Sequence, residues 1–244
     1  MTGSSFVEAS RGARTLPGIP EENYWYRRHE AAYRMAARAL RGRRAIRVLD
    51  AGCGEGYGAS LLAGTAEVHA LDLDADTARH AARRYAAVRV IRGDACALPY
   101  RSESFDAVLA LQLLEHLFCA DRFLRRVRSL LRPGGVLLLS TPNRATFSPD
   151  GEPSPFHVYE YSADELEAFL RVHFSRVAVA GLHHGPALRA AERILGGPLP
   201  HRLVSAPYRE LPVRVRAIAR AVRAGAFRPG PAEGSLDLLA TAER

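Results

Sequence analysis

The chain has 244 residues, 48% hydrophobic and 25% charged, enough to bury the core of one soluble domain with an appendage. There is no run of 18 apolar residues, so no transmembrane helix is expected, and residues 1–8 lack a basic stretch followed by an apolar one, so no secretory leader is expected and the cytoplasm is the default. The formal net charge of +8 invites nucleic acid, but every basic residue is an arginine, the arginines are scattered, and no nucleic-acid partner or membrane insertion is expected.

In chain order, residues 1–20 are rich in Gly, Ser, Pro and Arg and read as a flexible lead-in. Residues 21–42 turn aromatic and then helical, with Tyr26, Tyr33 and Ala37 at helical spacing and Gly42 as a stop. This stretch reads as a helical lid from which His29 reaches the ligand edge. An α/β core then occupies 43–184. Its first strand, about 45–50, ends in Asp50 and is followed by Gly52, Cys53, Gly54 and Gly56 before a helix at about 57–64. A Gly-rich turn between strand and helix lets a ligand approach bare backbone. An acid at the strand end suits a ligand with a cationic end rather than a pyrophosphate.

The second strand, about 67–72, ends in Asp72 and Leu73, 18 residues beyond Gly54, where an acid meets a ribose diol. A helix at about 76–86, capped by Asp74 or Asp76, leads to a third strand at about 88–92 and then to Asp94 and Ala95. A fourth strand, about 105–111, closes on Leu111 and Gln112, and Glu115-His116 follows. A helix at about 121–131 buries Leu124, Val127, Leu130 and Leu131, and Pro133-Gly134-Gly135 breaks it before the continuous apolar strand at about 136–140. Residues 143–160 make a long Pro- and aromatic-rich connection carrying Phe156, His157 and Tyr161. Ser162 and Glu165 form a capping-box pair opening a helix at about 163–171, with a sixth strand at about 174–182. Residues 185–234 read as an inserted cap, and 235–244 as the final strand.

Strand and helix alternate throughout. The expected fold is therefore α/β: a Rossmann-like doubly wound sheet of about seven strands, helices on both faces, the last strand antiparallel, with an acceptor-side cap. Cys53, Cys96 and Cys119 have no metal-ligand spacing and read as free thiols; no metal site is expected, the adjacent His183-His184 pair being the one weak suggestion of one.

Gly54, Gly56 and Ala59 also fit the dinucleotide pattern G-x-G-x-x-G/A, which leaves NAD open as a rival ligand. The blocks at 47–58, Asp72, Asp94-Ala95 and 109–117 together resemble the class I S-adenosylmethionine (SAM) methyltransferases of the methyltransferase-11 type, over more than half the chain. The resemblance implies SAM as cofactor, held by Asp50, Gly52, Cys53, Gly54, Gly56, Asp72, Leu73, Asp94, Ala95, Leu111 and Gln112. Asp94 would accept from the adenine amino group, and the 111–112 backbone would cradle the methionine part. His116 is the first candidate base and His157 the second; a histidine titrates near working pH, and a hydroxyl acceptor must lose its proton as the bond forms. Residues 22–29, 52–58, 140–149 and 182–186 are further similar to an actinobacterial subgroup associated with methylglucose lipopolysaccharide, which implies a saccharide hydroxyl, such as that of an α-glucan, as acceptor. A quinone-type phenol or another small molecule as acceptor, a SAM-binding regulator without activity, and assembly as a homodimer stay open.

Overall fold

The computed structural model describes residues 15–43, 45–149, 151, 154–204 and 207–244; the lead-in expected over 1–20 lies mostly outside them. Five parallel strands form one side of the sheet: β1 (Ile46–Ala51), β2 (Ala66–Asp72), β3 (Val88–Arg92), β4 (Phe105–Leu111) and β5 (Leu131–Pro142). The sheet is completed by β6 (Arg176–His184), β7 (Phe227–Gly230) and β8 (Asp237–Glu243), in the order β3-β2-β1-β4-β5-β8-β6-β7. Strand order reverses between β1 and β4, so the chain segments leaving these two strands diverge and open a crevice at their C-terminal ends.

β1 and β4 are buried on both faces, so neighbouring positions such as Val48 and Leu49 of β1 and Ala107 to Leu111 of β4 are apolar without alternation. On one face, α4 (Ala120–Leu130) inserts Phe123, Leu124, Val127 and Leu130, all fully buried, and α6 (Ala163–Arg171) adds Leu166 and Leu170. Truncating one of these leucines to alanine would cost about 2–5 kcal/mol. The other face is covered by α1 (Asn23–Ala39), α2 (Tyr57–Ser60) and α3 (Ala75–Arg84). Ala32 and Ala36 of α1 are buried against this face. Asp74 caps α3 by accepting from the Thr77 amide, and Ser162 and Glu165 close the capping box of α6.

Two expectations are corrected. The sheet has eight strands, not seven, because the 185–234 insertion returns to the sheet as β7 and pairs antiparallel with β6. Phe227-Arg228-Pro229-Gly230 lies within the segment expected as a cap. It serves as an edge strand because an edge tolerates the missing proline donor. The final strand, β8, is antiparallel as expected, but it lies inside the sheet between β5 and β6. The second correction concerns the cysteines: Cys96 and Cys119 are disulfide-paired, Cα to Cα 5.9 Å, and Cys53 is the free one. Cys96 sits on the turn after β3 and Cys119 at the start of α4; the helix packs back over that turn, a long-range contact with no local motif.

The rest of the insertion supplies α7 (Pro186–Leu195), α8 (Leu199–Val204) and α9 (Val213–Ala221), packed on a small core with Tyr24 and Ala31 of α1. The Asn23 side-chain amide donates to the carbonyls of Ala219, Arg220 and Val222, so the first residue of α1 caps the end of α9. Among the described residues no helix is long and apolar enough to cross a membrane.

Candidate active site

Two adjoining cavities open at the crevice, and Gly52, Gly54, Gln112 and His116 line both. The smaller, about 300 Å³, lies over the ends of β2 and β3 and takes in Asp72, Leu73, Asp94 and Ala95. The larger, about 380 Å³, runs under α1 and takes in Trp25, Arg28, Cys53, Leu111, Glu115 and His157.

The glycine turn divides its work. Gly52 has φ 74 and Gly56 has φ 80, and a Cβ at either would strike Leu113 or Ala81 at 2.8 Å, so these two glycines close the turn against the core. Gly54 has φ 50 and a Cβ there would meet nothing within 4 Å; this is the position at which backbone faces open cavity. Its amide donates to Asp72 Oδ2 at 2.9 Å, while Asp72 Oδ1 accepts from the Asp74 amide at 3.0 Å. Asp72 therefore ties the turn to β2 and still lines the cavity with its carboxylate. Asp94 does two jobs as well: Oδ1 accepts from the Cys96 amide at 2.8 Å, and the side chain faces the same cavity. A carboxylate at each of two strand ends, with bare backbone between them, fits the ribose and adenine ends of a nucleoside.

Asp50 is corrected. Expected to face the cationic end of the ligand, it is fully buried and lines neither cavity. The Tyr33 hydroxyl, one turn below the lid residues of α1, donates to its Oδ2 at 3.0 Å. Burial pushes the Asp50 carboxyl up to about 7, with the Tyr33 bond opposing and Asp72 adding to the rise. Its part in the site is thus to anchor α1 above the glycine turn.

Opposite the turn, Gln112 adopts φ 55, rare for a side chain with a Cβ. Its amide nitrogen donates to Ser140 Oγ at 3.2 Å and to Asp237 Oδ1 at 3.3 Å, which holds the loop in that conformation. Asp237 in turn accepts a two-pronged pair from Arg28, Nε at 2.7 Å and Nη2 at 2.5 Å, with both side chains 2% exposed or less. Sequence reasoning missed this pair, whose members lie 209 residues apart.

Glu115, His116 and His157 come together on the far wall. Glu115 is buried, accepts from the Thr141 hydroxyl at 2.9 Å, and burial pushes its carboxyl up to about 8. The His116 Nδ1 lies 2.8 Å from the Phe156 carbonyl and the His157 Nδ1 lies 2.6 Å from Glu160 Oε1. A carbonyl or carboxylate oxygen only accepts, so Nδ1 carries the proton in each ring and Nε2 keeps its lone pair. Burial lowers both imidazoles below the ordinary histidine value, which leaves them neutral at working pH. The rings stand 5.1 Å apart, edge to face. Glu115, His116 and His157 each offer a ligand atom, all within 4.8 Å of one another, so this is the one group among the described residues with the chemistry to hold a metal ion; His183 and His184 form no such group. His29 lines the same cavity, with Thr15 Oγ1 3.3 Å from its Nδ1, and burial brings it down to about 4.

Residues 49–139 match the methyltransferase domain family. A probable SAM-dependent methyltransferase of Mycobacterium tuberculosis is 42% identical over 258 residues, covering 100% of this chain and 92% of the relative. The chain belongs to the SAM-dependent methyltransferases. A ubiquinone biosynthesis O-methyltransferase of Methylocella silvestris is 39% identical over 134 residues, 53% of this chain and 47% of that relative. In fold, this methyltransferase is similar to the crystal structure of a SAM-dependent methyltransferase, a possible histamine N-methyltransferase, from Thermotoga maritima, with TM-score 0.60 at 19% identity over 90% of this chain and 92% of the other. SAM is accordingly the cofactor of the methyltransferase, and the open Gly54 backbone with Asp72 and Asp94 fits its nucleoside.

Proposed function

We propose that this methyltransferase methylates a hydroxyl oxygen of a small molecule or saccharide, an α-glucan being the first acceptor to try, in the cytoplasm. One observation carries the reading: two imidazoles whose Nδ1 atoms are committed to Phe156 and Glu160, leaving Nε2 with its lone pair, line the cavity that adjoins the nucleoside lobe. A hydroxyl acceptor needs its proton taken as the new bond forms, and a neutral imidazole is suited to take it.

Bound SAM supplies an activated methyl group on a sulfonium. The chain holds it through Asp72 and Asp94 on the nucleoside and through the Leu111–Gln112 backbone on the methionine part. His116 accepts the acceptor's proton at Nε2, and His157 orients the hydroxyl or serves as the second base. Trp25, Phe147 and Phe156 give the cavity aromatic walls that suit a sugar ring or a flat acceptor and exclude water. Residues 43–184 with 235–244 form the cofactor core, 21–42 one wall of the cavity, and 185–234 the cap that selects the acceptor. A quinone-type phenol is the second reading, supported by the aromatic walls and by the ubiquinone-pathway relative; a regulator that binds SAM without turnover is the third.

Calorimetric titration with S-adenosylhomocysteine and, separately, NAD tests the base of this reading. S-adenosylhomocysteine binds, Asp72→Ala abolishes the binding, and labelled methyl from SAM then appears on one of an α-glucan or a phenol pool. Binding of NAD in its place would overturn the assignment, and binding without transfer to any acceptor would favour the regulator.

A further inference from the structure

Behind the active-site wall lies a third, larger cavity of about 630 Å³. The short helix α5 (Arg144–Phe147) after β5 separates this cavity from the active site: Phe147 lines the active-site cavity, whereas Ala145 and Thr146 line the other. The cap forms its far side through α7, which places Arg189 and Arg193 one turn apart at the opening. Both guanidiniums are exposed, and neither makes a hydrogen bond or an ion pair with a described residue.

The one acid lining the cavity, Glu192, feels the Arg189 charge but makes no ion pair with either guanidinium. Glu192 lies inside, where its Oε1 accepts from the Leu199 amide at 2.8 Å and from His184 Nδ1 at 2.9 Å. His183 and His201 add two imidazoles, each with Nε2 bonded to a carbonyl, of Pro231 at 2.6 Å and of Thr146 at 3.1 Å. The cavity thus offers two guanidinium forks of N–H donors, the donor set that recognises a carboxylate or phosphate group, and the two orientated rings beside them report on it. His184 also contacts Tyr24 Oη of α1 at 2.7 Å, so the cavity is joined through a buried hydrogen bond to the helix that walls the active site.

We infer that this cavity is an anion subsite, in which Arg189 and Arg193 hold a carboxylate or phosphate group of an extended acceptor whose hydroxyl reaches His116 across α5. The acceptor role rests on the proposed methyl transfer; anion binding does not. The subsite selects acceptors by length and charge, so its loss raises KM and leaves kcat in place.

Histidine ring NMR signals of the full chain, assigned with His183→Gln and His201→Gln, are followed during titration with inorganic phosphate and, separately, with sodium acetate at constant ionic strength. The expected result is a saturable shift of both signals with at least one anion, about tenfold weaker in R189Q/R193Q, while S-adenosylhomocysteine binds that variant as it binds the parent. A stronger response to phosphate assigns the group as phosphate, and a stronger response to acetate as carboxylate. No saturable response to either anion, or an equal response in R189Q/R193Q, overturns the subsite. If S-adenosylhomocysteine fails to bind while the anion response persists, the methyltransferase reading falls and the anion site stands.

Discussion

At the scale of single residues, the site is built by withdrawing charged groups from water. His116 and His157 are both held neutral by burial, so the base role proposed for them would be available at working pH and lost only on acidification. The acid limb of kcat is expected below the ordinary histidine value of about 6.5. His116→Ala should lower kcat about 100- to 10,000-fold with S-adenosylhomocysteine affinity retained, read by steady-state kinetics and calorimetry. His157→Gln should cost less. Turnover that survives chelation of divalent metal ions would agree with the imidazole acting directly, and its loss would reassign Glu115, His116 and His157 to a cation.

Glu115 runs the other way. The folded chain keeps a proton on it, up to about 8, that the unfolded chain releases above the ordinary carboxylate range. Stability from this group is therefore full at low pH and falls as pH rises toward that value. Glu115→Gln, which can still accept from Thr141, should be more stable than the parent near pH 8 and close to it near pH 5, by a few kcal/mol at the high end. Urea denaturation at the two pH values reads the difference.

Among elements, α1 decides whether the cavity exists. Three buried contacts fix it: Tyr33 on Asp50 in the sheet, Arg28 on Asp237 at the start of β8, and Tyr24 on His184 at the end of β6. The Arg28–Asp237 pair is nearly inaccessible, so removing one partner leaves a bare charge in the interior. Asp237→Asn or Arg28→Met should each cost about 3–5 kcal/mol, while the double change R28M/D237L recovers most of it, because a buried pair contributes less than its half-broken form loses. Denaturant midpoints of the three variants check this. Asp237→Asn should also weaken S-adenosylhomocysteine binding, since Gln112 loses a charged partner at a strained φ.

For the whole molecule, the Cys96–Cys119 bond ties the turn carrying Asp94 to the start of α4 across 23 residues of chain, beside the nucleoside cavity that Cys96 lines. Thiol titration of the unfolded, unreduced protein should find one reactive thiol, that of Cys53, and three after reduction. Reduction should lower stability by about 3 kcal/mol on loop-entropy grounds. Three thiols without reduction would show the pair to be open in solution.

Several of these features are legible in the chain itself. The strand-turn-helix at Asp50 to Tyr57, the acids at the ends of β2 and β3, and the Glu-His pair after β4 are local patterns. Right-handed crossovers bring successive strand ends to one edge, so motifs that follow strands meet there whatever the details of packing. The α/β architecture and the gathering of these motifs at one edge follow from that rule, while the cofactor class came from the resemblance of the motifs to the SAM methyltransferases. What only the tertiary structure decided are the contacts with no sequence period. Asp50 looked like a ligand group because its position at a strand end is visible, whereas the tyrosine that covers it comes from a helix with no fixed register to the strand. Arg28 and Asp237 read separately as a lid residue and the start of a strand. Phe227 to Gly230 read as part of the cap, and β6 offered it an edge. Cys96 found Cys119 only because α4 packs back over the third strand's turn. In each case the deciding partner lies far along the chain, where neither hydrophobic periodicity nor turn chemistry carries information.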